Sequence, residues 1–76
     1  MKNLDRISLD PAVMGGKPCI KGLRVTVGTI IGLLASGLTA QGILDMYPYL
    51  QMEDIMQALS YAAWRSEEVE VPLAIA

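Results

Sequence analysis

Eight carboxylates, one cysteine and four serines are the first groups in this 76-residue sequence to weigh for covalent or acid–base chemistry. General acid–base catalysis needs two groups that converge on one point. Glu53 and Asp54 are neighbours in a stretch that reads as helix, so their side chains diverge by about 100°. Glu67, Glu68 and Glu70 fall in the terminal segment. Ser8, Ser36, Ser60 and Ser66 have no histidine to activate them, because the chain contains none. Gly15-Gly16-Lys17 lacks the spaced first glycine and the Ser/Thr of a phosphate loop. Cys19 stands alone, which rules out a disulfide within the chain and a thiol–imidazole metal site; a small strand hydrophobe is its simplest role. The expectation is a protein without catalysis, metal or cofactor, in a reducing cytoplasm.

The remaining chemistry is recognition. The net charge of −2 hides a split. Residues 1–24 hold Lys2, Arg6, Lys17, Lys21 and Arg24 against Asp5 and Asp10, whereas residues 25–76 hold Arg65 against six carboxylates. A basic end suits phosphates and an acidic end suits a basic protein. Arg6, Lys17, Lys21 and Arg24 are the candidate DNA contacts; the alternatives are a solvated rim on a small sheet, or Arg24 held by Asp5 or Asp10. Tyr61 and Trp64 are candidate partner anchors or, equally, side chains that cover a small core. Val69, Val71, Leu73 and Ile75 alternate with Glu70, Pro72 and Ala74, which is a strand period. Such an arm can add to a partner's sheet; the alternatives are a frayed end or a strand exchanged within a homodimer.

These groups need elements to hold them. Ile7-Ser8-Leu9 reads as a short strand closed by Asp10-Pro11. Lys17 to Thr26 reads as a hairpin in which Cys19-Ile20 pairs with Leu23 to Val25 across Lys21-Gly22. Three helices follow. Thr26 caps the first, whose apolar positions are Val27, Ile30, Ile31 and Leu34, and Gly37 stops it. Thr39 caps the second, which buries Ile43, Leu44 and Tyr47 and ends near Pro48. The third spans about Met52 to Arg65, with Met52, Ile55, Met56, Leu59, Ala62 and Ala63 as its apolar stripe. The tight Pro48-Tyr49-Leu50 connection suits a helix-turn-helix. The predicted fold is mainly α: a short N-terminal β-hairpin and a three-helix, helix-turn-helix core over residues 1–65, then an arm over 66–76.

At 53% hydrophobic, so small a chain holds more apolar side chains than its interior can hide, and a homodimer or another partner is expected. The run Val25 to Leu38 is too short, and too rich in Gly and Thr, to cross a bilayer, and the first residues lead into no secretory apolar core. No small-molecule substrate and no membrane association are expected.

The residues Arg6-Ile7, Asp10-Pro11, Gly16-Lys17-Pro18, Lys21 to Val25, Tyr47 to Leu50, Asp54-Ile55, Ala58-Leu59 and Tyr61 to Ala63 form a combination that resembles family 433 of the domains of unknown function, over roughly residues 5–65. Leu23 and Gln51 depart from it, each standing where a threonine is common; without the threonine cap the third helix should lose about 1 kcal/mol at its start. The resemblance implies a helix-turn-helix protein of the winged-helix or homeodomain-like group. It also implies an antitoxin that neutralises a PIN-like nuclease toxin and binds operator DNA. A homodimeric DNA-binding regulator without a toxin, and an adaptor that binds only protein, are the alternatives. Glu53 and Asp54 open the would-be recognition helix, and two carboxylates near phosphates repel them by about 1 kcal/mol each. Gln57 is the one good base reader on that turn.

Overall fold

The structure, a computed structural model, describes residues 4–67. Strand β1 (Ile7–Ser8) and strand β2 (Cys19–Ile20) pair antiparallel, with Ile7 opposite Ile20 and Ser8 opposite Cys19. Helices α1 (Val27–Ala35), α2 (Ala40–Met46) and α3 (Met52–Glu67) follow. The molecule is therefore mainly helical, with a small N-terminal hairpin.

The hairpin differs from the expected one in its partners. Lys21-Gly22 does form a tight turn: Leu23 N–H donates to the Ile20 carbonyl at 2.9 Å, and Gly22 takes φ +80°, which suits glycine. The returning chain adds a bond from Ile20 N–H to the Val25 carbonyl at 2.9 Å and one bridge between Cys19 and Thr26. Val27 N–H, at the start of α1, adds a further bond to the Pro18 carbonyl at 2.9 Å. The lasting partner of β2 is β1, reached across a loop tightened by Asp10, whose carboxylate accepts from Ala12 N–H at 2.9 Å.

The helix boundaries follow from local chemistry. Thr26 Oγ1 accepts from Thr29 N–H at 3.0 Å, and Thr39 Oγ1 accepts from Gly42 N–H at 3.0 Å. Helix α1 ends where Gly37, at φ +107°, lets Leu38 N–H reach the Leu33 carbonyl and Gly37 N–H reach that of Leu34, both at 3.1 Å. Helix α2 closes with Tyr47 N–H on the Ile43 carbonyl at 2.9 Å, just before Pro48. Helix α3 runs to Glu67, two residues past its predicted end.

Ile20, Val25, Val27, Ile30, Ile43, Leu50, Ile55 and Ala58 make the core, with α3 packed on α1, α2 and β1. The first two helices bury the sides that their periodicity indicates. Helix α3 does not. Of the expected stripe, Ile55 is fully buried, while Met52, Met56 and Leu59 are 45%, 50% and 40% exposed. Its inward side is instead Asp54, Ile55, Gln57 and Ala58, with Tyr61 half-buried on the core. Among the described residues, no helix is long and apolar enough to cross a membrane.

Candidate functional site

The inward polar residues of α3 belong to a network that fastens the N-terminal segment. Arg6 Nη1 lies 3.0 Å from Asp54 Oδ1 and 3.0 Å from Gln51 Oε1. The Asp54 side chain is 7% exposed, and its Oδ2 accepts from Gln51 N–H at 2.8 Å. Asp54 thus sits at the third helical position and reaches back to the residue before the helix, half of a capping box. The threonine half of the box stays absent at Gln51, whose side chain holds Arg6 instead. Gln57 completes the network: its Oε1 accepts from Arg6 N–H at 2.8 Å and its Nε2 donates to Asp5 Oδ1 at 2.9 Å.

This network changes what α3 can offer to DNA. Gln57 is 9% exposed and both ends of its amide are engaged within the chain. Asp54 is buried and paired, which leaves Glu53 as the exposed carboxylate of the first turn. Of the four cations singled out in the sequence, Arg6 is committed to Asp54 and Gln51. Lys17, Lys21 and Arg24 are exposed, and none makes an ion pair among the described residues. Asp5 and Asp10, the alternative partners for Arg24, are held by Gln57 and by Ala12 N–H. Lys17 precedes β2, and Lys21 and Arg24 lie on the turn that leads to α1. Lys17 also borders an open recess with Pro18, Thr26, Gly28 and Thr29 at the start of α1.

At the far end of α3, Tyr61 and Trp64 stack obliquely, their ring centroids 5.9 Å apart. The Arg65 guanidinium lies 5.8 Å from the Trp64 ring centre, within cation–π reach. Tyr61 is packed against the core, and Trp64 is half-buried. Val69, Val71 and Leu73, the candidate strand-adding residues, lie outside the described residues.

The outer side of α3 was not legible as a surface. Met52, Met56 and Leu59 face away from the core, and Met46 and Tyr49, in the preceding helix end and turn, are 53% and 57% exposed. The competing pattern Ile55, Ala58, Tyr61 carried the signal, masked by the larger side chains of the other stripe. Cys19 is 1% exposed, and its thiol donates to the Lys17 carbonyl at 3.3 Å, the contact of a packed and protected side chain.

The sequence profile of the family described as protein of unknown function (DUF433) matches residues 7–62. The chain belongs to the DUF433 family. It is similar to a DUF433 member protein from Anabaena variabilis ATCC 29413 of known crystal structure, with 30% identity and a TM-score of 0.78 over 83% of this chain and 62% of that one. It is also similar to the uncharacterized protein y4eO of Sinorhizobium fredii (strain NBRC 101917 / NGR234), 32% identical over 56 residues. That stretch is 74% of this chain and 25% of y4eO. The DUF433 domain seen here thus spans about three-fifths and a quarter of these two relatives. The profile begins at Ile7, directly after the arginine that locks β1 to α3, and ends at Ala62, within α3.

Proposed function

We propose that this DUF433 chain is a non-catalytic, antitoxin-like binding module that holds a PIN-like nuclease toxin through the later part of α3 and the arm that follows it. One observation carries the reading. The second helix of the helix-turn-helix commits Asp54 and Gln57 to hydrogen bonds within the chain, the reverse of a helix that reads base edges. Trp64 at its C-terminal end has the amphipathic, half-covered character of an interface anchor. The carboxylates at residues 67, 68 and 70 suit a groove that binds RNA by positive charge. The buried thiol of Cys19 and the engaged carboxylate of Asp54 support a role without catalysis.

Co-expression with the product of an adjacent open reading frame tests this directly. A tagged chain should retain the nuclease and suppress its cleavage of RNA. Trp64→Ala should weaken the complex at least tenfold, and removal of residues 68–76 should abolish it with the fold intact. A nuclease that neither co-purifies nor loses activity would refute the proposal.

A second reading, operator binding, is favoured by Lys17, Lys21 and Arg24, three exposed cations close to the start of α1. Phosphate contact through that side would place the duplex on the hairpin, away from the outer row of α3.

A further inference from the structure

The outer face of α3 carries Met52, Met56, Leu59 and Ala63 at intervals of four, three and four residues, so they form one row about 16 Å long. All four are exposed, and the row contains no charged side chain. Tyr49 and Met46, also exposed, lead into its N-terminal end.

We propose that a second copy of this chain covers this row, the two α3 helices packing antiparallel about a twofold axis beside the midpoint between Met56 and Leu59. Three features select that occupant. The sizes match only in the antiparallel sense: Met52 falls opposite Ala63 of the second copy, and Met56 opposite its Leu59. A parallel pair would set Ala63 on Ala63, leaving a gap, and would bring the two Glu53 side chains together with aligned helix dipoles. The row is neutral, so it offers nothing to the cations of an RNA-binding groove, whereas a copy of itself meets it without an unpaired charge. The area is also of the right order. Five large side chains at about half exposure present on the order of 500 Å², a major part of the ~800 Å² that each partner gives to a stable interface.

The inference is independent of any toxin or operator, because its test uses the full chain alone. Sedimentation velocity from low to high micromolar concentration should show a monomer–dimer equilibrium. Met56→Lys with Leu59→Lys should leave a monomer throughout, with an unchanged far-ultraviolet circular dichroism spectrum and a cooperative melt. Leu9→Lys, at an exposed leucine elsewhere, should leave the dimer intact. Should the double variant fail to fold, Ala63→Arg serves in its place. Mild oxidation of a mixture of Met52→Cys and Ala63→Cys should give the mixed disulfide; Met52→Cys alone should not cross-link, since the two sites lie about 16 Å apart along the helices, beyond disulfide reach. A wild-type monomer at high micromolar concentration, a dimer that survives Met56→Lys with Leu59→Lys, or a row that binds a different protein instead would overturn the proposal. So would Met52→Cys cross-linking to itself.

Discussion

Gln57 uses one end of its amide for the backbone of Arg6 and the other for the carboxylate of Asp5, residues more than fifty positions away. That arrangement turns a residue that looks like a base reader into a clamp. A buried hydrogen-bonded amide is costly to truncate, because its partners stay behind without replacements. Gln57→Ala should therefore destabilise the chain by about 1–3 kcal/mol, read as a lower urea midpoint with an unchanged slope. Asp54→Asn should cost about 1–2 kcal/mol, since it removes a charge-assisted bond to Arg6 and weakens the helix cap at Gln51. That figure is kept small because Arg6 is 36% exposed and partly screened by solvent. If either variant unfolds with the wild-type midpoint, the network does not fasten β1 to α3.

At the scale of elements, the parts governed by neighbours in sequence were legible and the parts governed by distant partners were not. Thr26, Thr39 and Gly37 act within a few residues of themselves, and each does what its position indicates. Gly37→Ala should cost about 1 kcal/mol, because a Cβ resists its positive φ, and should fray the end of α1 in amide exchange. The orientation of α3 was misread for the opposite reason. Hydropathy ranks Met52, Met56 and Leu59 above Asp54 and Gln57, and nothing local to α3 reveals that Asp5 and Arg6 satisfy those polar groups. The pairing of β2 was legible in part: the turn at Lys21-Gly22 and the return to Val25 form as their spacing indicates, whereas the other partner, β1, lies across the loop of residues 9–18 and has no local signal.

At the scale of the molecule, two regions are set apart in character. The hairpin side carries Lys17, Lys21 and Arg24, and α3 carries an apolar row and an aromatic end. Charge reversal at Lys21 and Arg24 to Glu should remove any retention of duplex DNA in a low-salt gel shift. Persistence of the shifted band would move the contact elsewhere. The apolar surplus inferred from composition takes a definite place on the outer row of α3, which composition alone had no means of locating.

Whether α3 approaches DNA at all is decided by Glu53, the exposed carboxylate of its first turn. Glu53→Lys replaces a repulsion by an attraction, each of about 1 kcal/mol, if phosphates lie within a few ångströms. At about 0.15 M salt the effect fades beyond roughly 8 Å. Fluorescence anisotropy with a labelled duplex from upstream of the gene should therefore give affinities for wild type and Glu53→Lys that agree within about twofold. A tightening of tenfold or more would place α3 against the phosphates and contradict its assignment as a protein-contact helix.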